Sequence, residues 1–269
     1  MKTNKKIEYS LEHKQYLKKI QTKKYAILFT QLGIIIALIG LWELFTKIGV
    51  LDVFFFSSPS RIIAQIGALY SGGTLFVHIG TTLYEALIAF VVSVGIGFVV
   101  AVLLWWSEYL RRVLEPYLVV LNSLPKIALG PIIIIWFGTG AKAIIIIAFL
   151  IMIVITIMDL LASFTSVDKE KILLLKSLGA TKWQVLTKLV LPNSLKDFIS
   201  VLKINVGMTW VGVIMGEYLV SRAGLGYLIV YGSAVFNLDL VMCCIVLLCI
   251  LSAVLYFIVA FIEKHVRNY

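Results

Sequence analysis

Long, nearly uncharged runs recur along this chain, separated by short polar intervals, and that alternation leaves few folds open to it. A run of about 20 apolar residues crosses the hydrocarbon core of a bilayer as a helix. Inside lipid there is no water to bond the backbone, so each crossing must satisfy its own amides and carbonyls. Six such runs are present: Tyr25–Phe45, Ile79–Trp105, Leu114–Phe137, Ala141–Leu161, Asn193–Leu219 and Leu240–Ile262. The expectation is an all-α integral membrane protein with six transmembrane helices, forming one domain over residues 25–265. Composition agrees: 61% of residues are apolar and 14% charged, at a mean hydropathy of +1.02, whereas soluble domains are about half apolar and a quarter charged.

Charge sets the orientation. Of 24 Lys and Arg, nineteen fall in the N-terminal tail, residues 105–115, residues 163–203 and the C-terminal tail; only Lys47, Arg61, Lys142 and Arg222 fall in the alternate segments, and Lys126 lies within the third run. By the positive-inside rule both termini and the 163–192 loop face the cytoplasm. The net charge of +10 then follows from membrane insertion, and no nucleic-acid partner is expected. Residues 1–24 read as a basic cytoplasmic tail, a short surface helix near Ile7–Ile20 included, and the first run as a retained span rather than a removed leader.

Small residues recur at four-residue intervals in the second span (Ser93, Gly97, Ala101) and in the fifth (Gly212, Gly216), which lets helices approach closely in lipid. The third span is unlike the others, holding Pro116, Asn122, Ser123, Pro125, Lys126, Gly130 and Pro131. Proline removes backbone hydrogen bonds, which lipid tolerates where the gap faces protein or water. Asn122, Ser123 and Lys126, with Glu217, are candidates to line a solute path, Lys126 favouring an anion; the alternative is that Lys126 snorkels or pairs with Glu85 or Glu217. Glu43, Glu85 and Glu217 fall toward the outer ends of spans, as gate or docking residues or as plain interfacial acids. Cys243, Cys244 and Cys249 lie in the last run as packing residues. His13, His78 and His265 are expected to be solvated.

Between the fourth and fifth spans lies Asp168–Pro192. Gly179 follows a helical run and suits a chain reversal; Thr181 would cap a second helix, Lys182–Leu189, with Trp183, Leu186 and Leu189 on one face. From Gly179 to the closing Leu189-Val190-Leu191-Pro192, this stretch resembles the cytoplasmic loop of the permease subunits of type I ABC importers, whose pattern is Glu-Ala-Ala, three residues, Gly, nine residues, Ile, one residue, Leu-Pro. Leu173, Leu174 and Leu175 stand at the Glu-Ala-Ala positions. Ser177-Leu178-Gly179-Ala180-Thr181, the Pro125–Pro131 block with Trp136-Phe137-Gly138-Thr139-Gly140, the Trp210–Glu217 stretch and Ala223–Ile229 resemble the nitrate, sulfonate, taurine and thiamine-precursor branch. The resemblance implies a permease homodimer, two ATPase subunits holding ATP and Mg, and an extracytoplasmic binding protein, all at the cytoplasmic membrane. It also implies that Leu175, Ser177, Leu178, Gly179, Ala180, Thr181, Trp183, Leu189 and Pro192 form coupling helices that dock into the ATPase.

Other chemistries lack their residues. The string Gly138–Lys142 lacks the spacing of a phosphate-binding loop, so this chain would bind no ATP itself. No metal-ligand spacing and no nucleophile triad is present, so neither a metal nor catalytic residues are expected. A secondary transporter or channel would need inverted repeats or an intramembrane proton relay, and a membrane enzyme would need clustered His, Cys or carboxylates; an ATP-powered importer subunit fits the residues better.

Overall fold

The computed structural model describes residues 11–266, and among these all regular structure is helical. Lys2, Lys5 and Lys6 of the basic tail, Arg267, and the His13 and His265 side chains lie outside the described residues. The chain divides into two units, residues 1–63 and 64–269.

In the first unit, α1 (Leu11–Lys47) runs unbroken for 37 residues. The short surface helix expected near Ile7–Ile20 is corrected over its described part: residues 11–24 are the first turns of the same helix as the span, while residues 7–10 lie outside the described residues. Lys, Gln and Leu are good helix formers, and no Gly or Pro interrupts before Gly33. At about 1.5 Å per residue α1 is some 55 Å long, well beyond the hydrocarbon core. The chain then turns at Gly49 (φ +78°) into a single turn, α2 (Val53–Phe56), capped by Asp52, whose Oδ1 accepts from Phe54 N at 2.8 Å. Glu43 accepts from Lys47 Nζ and from Ser60 N, each at 3.1 Å. Ser60 lies in the first turn of α3 (Pro59–Ser71).

In the second unit, α4 (Leu75–Trp106), α7 (Ala141–Thr165) and α11 (Leu195–Val220) form the core, with α7 the most buried. Small residues set their spacing. Ser93, Gly97 and Ala101 are all fully buried on α4, and a Cβ on Gly97 would fall 2.6 Å from Thr156 Cγ2 of α7. A Cβ on Gly212 would fall 2.6 Å from Ala148 Cα, and one on Gly216 3.0 Å from Ile144 Cα. The backbones of α7 and α11 thus touch, which is how helices gain attraction in lipid. Between them Thr156 Oγ1 lies 3.0 Å from Asn205 Oδ1. The last long helix, α13 (Leu238–Val266), buries Cys243 and Cys244 and leaves Cys249 exposed.

The third span departs from the expectation of one kinked helix over 114–137. Helix α5 (Glu108–Ser123) starts earlier, at an N-cap in which Ser107 Oγ accepts from Leu110 N at 3.2 Å, so residues 108–113 are helical as well. Pro116 sits inside α5, and the break comes later, at Leu124-Pro125. Leu124 is extended (ψ 140°), as the ring of a following proline requires. A tight 3-10 turn (Lys126–Leu129) and α6 (Gly130–Phe137) follow, bent by 84° from α5. Among the described residues five helices are long and apolar enough to span alone, and this bent pair is the sixth if counted as one.

Candidate functional site

The segment between α7 and α11 is built to stand out from the bundle and to be held rigidly at its base. Asp168 Oδ1 accepts from Glu170 N at 2.9 Å and starts α8 (Lys169–Ser177). Gly179 takes φ +82°, and Ala180 N closes back onto Leu175 O at 3.0 Å. A Cβ on Gly179 would meet nothing within 4 Å, so the backbone angle, not space, is what requires glycine there. Thr181 then caps α9 (Lys182–Val185): its Oγ1 accepts from Gln184 N at 3.3 Å, and Gln184 Oε1 accepts from Thr181 N at 2.8 Å. The expected Lys182–Leu189 helix is interrupted by a widened π turn, Leu186–Val190, ahead of α10 (Leu191–Asn193). Pro192 has no N–H to offer the Lys188 carbonyl, which is where an α-helical bond would otherwise form.

The side chains divide into two sets. Leu175, Ala180 and Leu189 turn inward with Val185, Leu186 and Val190, packing on Ala101 of α4, Leu160 and Phe164 of α7 and Val201 of α11. Leu173, Leu174, Leu178 (75% exposed) and Trp183 (61% exposed) turn outward. Ser177 Oγ bonds back to Leu173 O, and Pro192 is exposed. The Lys182 ammonium donates to the Trp106 carbonyl and lies 5.4 Å over the Trp106 ring, whose neighbour is Trp183 at 6.3 Å. Sequence reasoning singled out Leu178 and Trp183 but missed Leu173, Leu174 and Gln184. The three-residue spacing of Ile172 and Leu175, both packed inward, was the signal that Leu173 and Leu174 face out.

At the α5–α6 break, Lys126 Nζ lies 3.4 Å from Asn122 Oδ1 and 3.5 Å from Asn122 O, while Ser123 Oγ bonds Val119 O at 3.1 Å. The alternative pairing of Lys126 with Glu85 or Glu217 is not what the structure holds.

Glu217 belongs to a different cluster. It is 1% exposed; Oε1 accepts from Thr82 Oγ1 of α4 at 2.6 Å, and Oε2 accepts from Gly226 N at 2.5 Å. Gly226 lies in the first turn of α12 (Leu225–Ala234), so a carboxylate meets the positive end of that helix. Leu225 N donates to Thr82 Oγ1 at 2.8 Å, and Gly224 N to His78 Nδ1 at 3.0 Å. A Cβ on Gly226 would fall 2.7 Å from Glu217 Oε2, and one on Gly224, at φ +116°, would also run into the carboxylate. The reading of Glu85 and Glu217 as plain interfacial acids is corrected. Both are 1% exposed; the start of α12 closes over Glu217, and Glu85 Oε2 has no hydrogen-bond partner among the described residues. His78, expected to be solvated, is half-buried and bonded.

Comparison with known proteins adds a family, several relatives and a solved structure. The family described as "Binding-protein-dependent transport system inner membrane component" matches residues 93–268. A probable ABC transporter permease protein of Haemophilus influenzae is 28% identical over 230 residues, covering 86% of this chain and 93% of its own. The taurine transport system permease protein TauC of Escherichia coli is 24% identical, covering 83% of each chain. The formylaminopyrimidine transport permease protein ThiX of Halalkalibacterium halodurans is 28% identical, covering 71% of this chain and 75% of its own. Among solved structures, the inward-facing MetNI methionine ABC transporter superposes with a TM-score of 0.62 at 21% identity, covering 71% of this chain and 97% of that one.

Proposed function

Because the chain belongs to the family of binding-protein-dependent transport system inner membrane components, we propose that residues 168–192 are the point where it receives work from a separate ATPase. The chain is the membrane-spanning permease subunit of an ATP-binding cassette importer for a small solute. ATP and Mg are held by the ATPase subunits, two permease copies form the pathway, and a binding protein delivers solute from outside. The surplus of Lys and Arg on the coupling side supports placing both termini in the cytoplasm.

One observation carries this reading. Four large apolar side chains, Leu173, Leu174, Leu178 and Trp183, are exposed on a segment whose opposite side is locked into α4, α7 and α11. An exposed apolar patch rimmed by lysines is a protein-docking surface. Locking its base to three spans makes it a lever: a displacement of the patch moves the packed core, because close-packed side chains transmit strain. The α5–α6 break brings the Lys126 ammonium and the Asn122 amide to a discontinuous helix, the chemistry of a solute path. The carboxylate of Glu217, tying α12 to α4 and α11, closes the opposite end. Relatives are named for taurine, aliphatic sulfonates, formylaminopyrimidine and riboflavin, so charge at Lys126 is the feature to test. Affinity purification of the tagged chain from its own membranes tests the assembly: two permeases with two ATPase subunits are expected by native mass, and a monomeric permease free of ATPase would overturn it.

A further inference from the structure

Two cavities at the coupling-segment end of the bundle share one wall and differ in chemistry. The first, about 230 Å³, is lined by Arg111, Lys169, Lys176 and Lys182 against a single carboxylate, Glu108. That carboxylate is already paired, with Arg112 Nη2 at 2.6 Å. Asp168, which precedes Lys169, points its Oδ1 at Glu170 N. Among the described residues no carboxylate is in ion-pair contact with Arg111, Lys169 or Lys176. Lys182 is fixed by the Trp106 carbonyl rather than by an acid, leaving two of its three N–H groups free of that bond. The pocket therefore gathers four cations around one carboxylate, Glu108, which pairs with Arg112 and also feels Arg111 and Lys169, so positive charge remains in excess there.

The second cavity, about 430 Å³, is lined by Val94, Gly95, Phe98, Leu191, Leu195 and Phe198, with Ser194 at its edge. Phe164 walls both cavities, and Phe98 stands edge-on to it at 6.0 Å. Along α4, Phe98 lies seven residues before Trp105 of the basic pocket, so the apolar cavity is about 10 Å deeper. That offset matches the few ångströms of a bilayer's headgroup layer plus the first acyl carbons. Trp105 and Trp106 sit at the level of the basic pocket, where indole rings mark the membrane interface. Cations at the interface over an apolar slot at acyl depth are what a single amphiphilic anion recognises.

We propose that the two cavities form one site for an anionic phospholipid, its phosphate among Arg111, Lys169, Lys176 and Lys182 and an acyl chain in the Phe98–Phe198 slot past Phe164. A free phosphate ion would use the upper cavity alone. The site ties the base of the coupling segment to the leaflet on its own side and goes beyond the transport reading, since it needs no partner protein.

The test uses the full chain in nanodiscs of equal parts phosphatidylcholine and phosphatidylglycerol, with co-purifying lipid counted by native mass spectrometry. Phosphatidylglycerol is expected to be retained in preference to phosphatidylcholine. That preference falls about tenfold or more in the Lys169→Gln/Lys176→Gln double variant, as loss of two juxtamembrane lysines implies. It falls likewise in Gly95→Phe, which fills the slot without changing charge and has open space for its Cβ. Lys171→Gln, outside the pocket, leaves it unchanged. Equal retention in both pocket variants overturns the proposal, as does an equal fall in Lys171→Gln. Displacement of the lipid by excess inorganic phosphate would make it a phosphate site instead. Unchanged lipid with loss of co-purifying ATPase from the double variant would make the lysines an ATPase contact.

Discussion

Leu178 separates docking from stability, because it is three-quarters exposed and sits at the turn where α8 ends. Fully burying a leucine side chain contributes about 1.5–3 kcal/mol. With 75% of it open, a partner that covers it gains most of that, about 1–2 kcal/mol. Leu178→Ala is therefore expected to weaken ATPase association by about 5- to 30-fold, at about 1.4 kcal/mol per tenfold. Leu178→Glu brings an unpaired charge into the interface as well, and should weaken it further. Neither change touches the packed base, so thermal stability of the detergent-solubilised permease should stay within about 0.5 kcal/mol of wild type. Leu175→Ala makes the contrast: this side chain packs on the core cluster, and its truncation should lower stability by about 1–3 kcal/mol. Association is read by titrating fluorescent ATPase subunit onto immobilised permease, and stability by a thermal ramp on the same preparation. Wild-type affinity in Leu178→Glu, or an affinity loss that appears only with a matching drop in stability, would refute the division into an outward docking face and an inward anchoring face.

Gly179→Ala forces a side chain into φ +82° and should cost about 1–2 kcal/mol despite the open space around it, with Gly179→Asn costing less; equal stability of both variants would contradict the backbone argument. Thr82→Val leaves one Glu217 oxygen and the Leu225 amide without their shared hydroxyl, for a loss of about 1–3 kcal/mol. Hydrogen exchange should then speed up at the start of α12, and unchanged exchange there would remove the latch. Gly212→Leu drives α7 and α11 apart at Ala148 and should abolish a stable fold in detergent, whereas Gly207→Leu, with open space at its Cβ, should not. Lys126→Met should reduce uptake of the solute delivered by the binding protein by about tenfold or more, the scale of a charge-assisted hydrogen bond, and Lys126→Arg should restore most of it; wild-type uptake in Lys126→Met would take Lys126 out of the solute path.

Much of this architecture was legible because lipid makes apolar length and small-residue spacing nearly sufficient to find a span. The run Ala141–Leu161 and the helix Ala141–Thr165 share their start. The Gly179 reversal and the Thr181 cap were readable for the same kind of reason, as each needs one particular residue type at one position. What hid was set by neighbours far along the chain. Glu217 reads as an exposed acid until α12 folds over it, and Thr82, 135 residues away, carries no mark of its role. The α5–α6 break could be placed at Pro116, Pro125 or Pro131 by proline alone; the extended Leu124 decides it. The outward Leu173 and Leu174 are obscured because three consecutive leucines show no helical period by themselves; only the inward Ile172 and Leu175 reveal which face they occupy.

The central claim is that the outward face of residues 168–192 meets a soluble ATPase. A benzophenone amino acid placed at position 178 in cells, irradiated and followed by mass spectrometry of the adduct, tests it most directly. The account predicts a crosslink to the nucleotide-binding subunit, and none from position 175, which packs inward. A position-178 adduct formed only with lipid or with extracytoplasmic protein would contradict it.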